Sequence, residues 1–322
     1  LIDGAVLYLK IYALGMPAMA IYNYGNGVMS AAGETTRPLV YLTIAGILNV
    51  CLNLFFVIVC HMAAEGVAIA SVIAQWLSAI LIVLHLLRRS DACHLDFRKL
   101  RFHALACKRV LMTGVPSGLQ NAIFAIANLF VQSGINSFDA VTVSGAAAAQ
   151  NADTLIFNMM AAFCTASASF VSQNWGAGQY NRILKSYLIS TFYSFITGAI
   201  FGGALLLYGR GFLSIFANEP NVIDAGMQRL KIMAFSYAIS AFMDCAIAAS
   251  RGIAKTVVPT IVVILGSCVF RVIWVYTVFA YFKTIPSLYL LYIFSWTITA
   301  IAEILYFAHS YRKLMASIKQ QA

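Results

Sequence analysis

The sequence predicts an all-α, polytopic membrane protein, and three observations carry that prediction. Of its 322 residues, 61% are hydrophobic and only 10% are charged. Soluble domains average roughly 25% charged residues, so there is too little charge here to cover a soluble surface. The mean hydropathy is +0.84. The apolar residues also gather into runs long enough to cross a bilayer core of ~30 Å, which takes about 20 residues as helix.

Nine such runs can be drawn, at 6–32, 39–60, 64–87, 110–135, 141–171, 183–208, 228–250, 257–281 and 286–309. Several are longer than a straight crossing requires, which permits tilt. The run after Ser144 is the most informative. It is built of small apolar residues, yet it carries Gln150, Asn151, Asp153 and Asn158 before closing on the polar turn 172–182. A carboxyl group inside a span is expensive and is expected to face a cavity or a partner.

Charge sets the orientation. Arg37, the segment 88–109, Arg182, Lys185, Arg251, Lys255 and the tail hold fifteen of the twenty-one Lys and Arg residues, all on one side of the spans. Cytoplasmic loops carry the excess of Lys and Arg, so this side, with the C-terminus, is assigned to the cytoplasm. The net charge of +10 is read in the same way and not as nucleic-acid binding. The basic linker, residues 91–109, would meet anionic lipid headgroups. It separates a first part, 1–90, from a second, 110–322. The seven cysteines lack paired spacing and read as small buried hydrophobes.

An internal repeat orders these spans. Residues 9–38 read LKIYALGMPAMAIYNYGNGVMSAAGETTRP and residues 230–259 read LKIMAFSYAISAFMDCAIAASRGIAKTVVP. Each opens on LKI, runs through small and apolar residues, reaches a glycine turn and ends at a proline after thirty residues. The first copy then matches helices 4–6 of a six-helix unit, and the second copy belongs to a complete unit. Two such units make twelve spans, of which nine are present here. Parallel repeats of this kind place the binding site near their interface.

Five segments resemble the multidrug and toxic compound extrusion (MATE) family. They are AAGETTRP (31–38), GVAIASVIAQ (66–75), GVPSGLQ (114–120), SQNWGAGQYNR (172–182) and SRGIAKTVVP (250–259). Their order and spacing follow the family across essentially the whole chain. The resemblance implies two six-helix lobes that rock about a cleft. It implies a secondary-active antiporter exporting organic cations or other amphipathic compounds against Na⁺ or H⁺, with no cofactor. It also implies a monomer in a bacterial inner membrane. On this reading the chain begins just before helix 4, without helices 1–3, and the sequence as given is expected to be inactive alone.

The coupling candidates are Asp153, Asp244, Asn49, Asn53 and Ser71. Asn49 and Asn53 lie at i and i+4 on one helix face, and with Ser71 they match the family's first-lobe cation site. Interhelical hydrogen bonding would serve those three residues equally well. Where some members carry an acid on helix 7, this chain has Phe124. Asp244 resembles the family's helix-10 aspartate, displaced by about one turn. Asp153 and Asp244 could instead neutralise Arg271, which lies mid-span and needs a partner. Glu303 reads as structural.

The substrate-cleft candidates are Gln120, Asn121, Asn128, Gln132, Asn151 and Arg271. The four amides on helix 7 form a polar stripe suited to a cavity wall or to helix packing. Aromatic side chains, 13% of the chain, could hold an organic cation. The five histidines have no metal-protease spacing and there is no P-loop, so no enzyme is expected. A lipid-linked oligosaccharide flippase of related architecture is the alternative. It is disfavoured because only Arg271 is clearly a mid-span cation.

Overall fold

Proline and glycine place the helix boundaries. In the computed structural model, which describes residues 2–321, the described residues form helices and no strand. Helix α1 spans Ile2–Ala13 and α2 spans Met16–Ala31. Pro17 opens α2, where the missing N–H costs nothing. The two are bent by 45° at the Leu14–Gly15 break, so the expected span 6–32 is a broken one. Helix α3 covers Thr36–Leu54 and continues through a wider turn, Phe55–Val59. Helix α4 covers Ala64–Arg88.

After a short turn at Phe97–Lys99 come α5 (Ala104–Ile135), α6 (Ala140–Gly176), α7 (Tyr180–Leu213) and α8 (Pro220–Gly252). The last two are α9 (Val257–Phe282), interrupted by wider turns, and α10 (Ile285–Gln321). Eight of these helices are long and apolar enough to cross a membrane, or nine spans if the bent α1–α2 pair counts as one. Helix α5 starts at Ala104, so the last residues of the expected linker are helical.

The repeat is visible in the backbone. Gly33 N–H bonds Ser30 O and Glu34 N–H bonds Met29 O. At the equivalent positions Ala254 N–H bonds Arg251 O and Lys255 N–H bonds Ser250 O. This is one helix-ending pattern used twice, with a left-handed residue after the last turn. The left-handed residue is Gly33 in the first copy, with φ of 84°, and Ala254 in the second, with φ of 60°. Without an alignment on this register, an alanine would not be expected there.

The chain divides into two compact units, Leu1–Phe102 and His103–Ala322. In the first, α4 packs against α1, α2 and α3 through Ala68, Ala70, Ala74, Ala79 and Ile82. Tyr22 donates its hydroxyl to Pro38 O at 2.9 Å, which ties α2 to α3. At one end of this unit Glu34 meets Arg89 at 2.5 Å and Arg37 at 3.0 Å.

Arg89 also forks onto Asp91, with Nε and Nη2 at 2.9 and 2.5 Å from its two oxygens. That hydrogen bond, helped by the Cys93 N–H, holds the Asp91 carboxyl down to about 2. The carboxyl carbon of Asp91 should therefore titrate near pH 2 in an NMR experiment, well below the ordinary ~3.9. The sign is that of a depressed acid. Its stabilising contribution is present above the unfolded value and is lost as pH falls through about 2.

In the second unit α8 is the central helix. It packs against α6, α7 and α10, and most of its apolar stretch is buried. Its inner residues are small, among them Ala234, Ser236, Ser240, Ala241, Cys245 and Ala249. Lipid tails are as apolar as the core, so helices in a membrane associate by close packing, which small side chains permit. Around this helix sit Met160, Met233, Tyr237, Val263 and Trp296 as one buried cluster, and Val171, Ile183, Ala246 and Phe307 as another.

Candidate functional site

One cavity, lined wholly by residues of the second unit on α5, α6, α8, α9 and α10, has a volume of about 310 Å³. Its walls hold four charged side chains, Asp153, Arg229, Asp244 and Arg271. Helix α6 carries Asp153 well inside its length, and α8 carries Arg229 opposite.

These two residues form a buried ion pair, with Nη2 of Arg229 2.5 Å from the Asp153 carboxylate. Tyr237 donates its hydroxyl to the other carboxylate oxygen. Arg229 also donates to Gln150 Oε1 at 3.0 Å and to Ala146 O at 3.4 Å, and it lies over the ring of Tyr289. The expectation that Asp153 could neutralise Arg271 is therefore corrected, because its partner is Arg229. The sequence puts Arg229 at the edge of a span that starts at 228. Helix α8 in fact starts at Pro220 with Glu219 before it, so Arg229 lies two and a half turns inside. The Glu-Pro pair was the available signal for that earlier start.

Arg271, on α9, is fully buried. Its Nη1 donates to Asn128 Oδ1 at 2.9 Å. The rings of Phe124, Tyr292 and Trp296 surround its guanidinium, with centroids at 4.5, 4.7 and 5.5 Å. Among the described residues no carboxylate forms an ion pair with it. Asp244, half-buried on α8, lines the same cavity and likewise forms no ion pair. Arg251 lies seven residues along the same helix. Arg251 donates to Gln120 Oε1 at 2.9 Å. The Glu303 carboxylate is fully buried with both oxygens free of hydrogen bonds.

The structure separates the expected amide stripe. Asn128 and Gln132 line the cavity, and Gln132 also bonds Asn136 at 2.9 Å. Gln120 is committed to Arg251, and Asn121 lies on an exposed face away from the cavity. Asn151 is exposed and bonds back to the carbonyls of Ala147 and Ala148. Phe124, noted as standing where an acid can occur, supplies one wall of the Arg271 cage.

In the first unit the three neutral candidates meet. Asn53 Nδ2 donates to Asn49 Oδ1 at 3.1 Å, and Asn49 Nδ2 donates to Ser71 Oγ at 3.4 Å. Asn49 and Ser71 open onto a separate cavity of about 290 Å³, shared with Tyr12, Gln75 and Ser78. Asn53 Oδ1 and Gln75 Oε1 are buried without a hydrogen bond. These groups offer oxygen ligands and no charge. Among the described residues no cluster of His, Cys, Asp and Glu could hold a metal ion.

Multiple long apolar helices around a charged, aromatic-lined cavity define a polytopic helical membrane protein. The MatE family model matches residues 116–277, half of the chain. The chain belongs to this family. Among its relatives are the Bacillus subtilis protein named "Probable multidrug resistance protein YpnP", 26% identical over 237 residues that make up 74% of this chain and 53% of the relative. A second is named as an FAD transporter of Shewanella oneidensis, 23% identical over 67% of this chain and 49% of the relative. The chain spans about half the length of these curated relatives.

A solved outward-facing structure of a multidrug resistance MATE family transporter superposes with a TM-score of 0.89. It is 18% identical and covers 97% of this chain, and 70% of that chain is matched. At that identity the likeness establishes the fold. The relatives' names lend nothing to the oligosaccharide flippase.

Proposed function

We propose that the chain forms part of a secondary-active antiporter. The cavity of the second unit holds an amphipathic compound, and Na⁺ or H⁺ binding drives its release from the cell. The observation that carries this reading is the state of the two acids. Asp153 is locked to Arg229, whereas Asp244 faces the cavity without an ion pair. A carboxylate that is free within a cavity can exchange a cation for a substrate; one held in a buried salt bridge cannot do so without breaking it. Asp244 is thus the coupling residue of the second unit. Asn49, Asn53 and Ser71 form the corresponding neutral site of the first.

No cofactor takes part on this reading. The protein works as a monomer, surrounded by lipid in a bacterial inner membrane, with its C-terminus in the cytoplasm, an orientation that the distribution of basic residues supports. Multidrug resistance proteins and an FAD transporter are both among the relatives, so the family by itself leaves the substrate's charge open.

The test, made on the full-length parent protein, is efflux of a cationic and an anionic fluorophore from vesicles, with Na⁺ and pH gradients imposed separately. Asp244→Asn should reduce gradient-driven efflux at least tenfold while leaving the unfolding transition in place. Wild-type efflux rates for Asp244→Asn would remove this residue from the mechanism. Efflux indifferent to both gradients would remove the antiporter.

A further inference from the structure

Arg271 has a feature that neither its cage nor its one hydrogen bond accounts for. A guanidinium presents two faces and two useful edges. The rings of Phe124, Tyr292 and Trp296 attract the cation through its π surroundings but accept nothing from its edge. Asn128 takes Nη1. Nε and Nη2, which form the opposite edge, are buried and have no hydrogen-bond acceptor. That edge carries two parallel N–H bonds, the geometry that matches the two oxygens of a carboxylate or phosphonate.

The charged groups around the cavity do not fill this need. Asp153 is committed to Arg229. Asp244 lines the same cavity but forms no ion pair with Arg271. Glu303 forms no ion pair with Arg271 among the described residues, and neither of its oxygens accepts a hydrogen bond. A buried cation without a counter-charge is costly and ordinarily marks a site. Beside Arg271 the mixed polar and apolar cavity wall carries an apolar part formed by Phe157, Met233 and Met243. A cavity of about 310 Å³ lies in the range that small ligands occupy, ~300–1,000 Å³.

We propose that Arg271, caged by Phe124, Tyr292 and Trp296, is the recognition group for the acidic end of an amphipathic organic anion whose flat apolar body lies along the methionines. Both edge atoms are shielded from water in this conformation, so the ligand reaches them by displacing a ring of the cage. This rests on the reading that the cavity holds the transported amphipathic compound, and it assigns that compound a negative charge.

The test uses matched ligands that differ in charge: 1-naphthoate, 1-naphthamide and 1-naphthylmethylammonium. Each is titrated by calorimetry into the protein in lipid nanodiscs. On the wild type, naphthoate should bind at least tenfold tighter than the amide, and the ammonium weakest. Arg271→Lys keeps a positive charge but lacks the fork, and it should weaken naphthoate tenfold or more with little change for the amide. Arg271→Gln should abolish the preference for the anion.

Wild-type protein that binds the ammonium as tightly as naphthoate overturns the proposal, whatever the variants do. So does an Arg271→Lys protein that keeps naphthoate affinity within twofold. Efflux is scored separately. Arg271-dependent binding with no gradient-driven efflux leaves the anion site standing and removes the antiporter. Gradient-driven efflux of cations alone, untouched by Arg271→Lys, does the reverse.

Discussion

Asp153→Asn should destabilise the protein by about 3–5 kcal/mol, the usual cost of removing one partner from a buried ion pair. The loss follows from what remains. Arg229, almost fully buried, would keep its full charge with only Gln150 and Ala146 O as partners. Arg229→Met should cost a similar amount, because Asp153 would then keep its charge with only the Tyr237 hydroxyl. The double variant should recover most of the loss, since no unpaired charge is left buried. Unfolding in mixed micelles, taken as a double-mutant cycle, reads this directly. Single and double losses that simply add would show that the pair contributes nothing as a pair. The same series guards the transport experiment. An efflux defect in Asp153→Asn accompanied by lost stability is a folding defect, whereas a defect in Asp244→Asn without one concerns coupling.

Gly145→Val should be the other severe substitution. A Cβ at Gly145 would stand 2.6 Å from Val222 O, 2.7 Å from Gly226 N and 2.8 Å from Ala225 Cβ. Two of these atoms are backbone and cannot rotate aside, so α6 and α8 would have to separate. Overpacking of this kind costs about 1–3 kcal/mol and sometimes more. It should also loosen the ion pair, because Ala146 O accepts from Arg229 beside the same contact. Gly203→Ala is the control. A Cβ there meets nothing within 4 Å, and the helix propensity of alanine should make the change neutral or stabilising by up to ~1 kcal/mol. Thermal unfolding of both variants in detergent checks the pair. Equal midpoints would mean that the α6–α8 approach is not tight in solution.

Membrane-spanning helices, their number and the repeat were legible in the sequence, because each depends on local composition. An apolar run of sufficient length is helical in a bilayer whatever lies beside it. The helix end at Gly33 was legible for the same reason, since a glycine turn is a local signal, whereas the left-handed Ala254 was not. The bend at Leu14–Gly15 was not, because the span 6–32 reads as one apolar run.

Site membership was only partly legible. Asn49, Asn53 and Ser71 do meet, because i,i+4 spacing fixes two of the three on one helix face. Asp153 and Asp244 looked alike as sequence, each a lone acid in an apolar span. Only the packing of α6 on α8 separates them, by bringing Arg229 to Asp153 and leaving Asp244 at the cavity wall. Likewise the sequence marks Arg271 as a buried cation, and the tertiary structure decides that rings and an amide, with no acid, surround it. Helix formation is set by residues within a turn or two of one another. Charge pairing across a core is set by residues as far apart as 153 and 229, whose meeting no local spacing encodes.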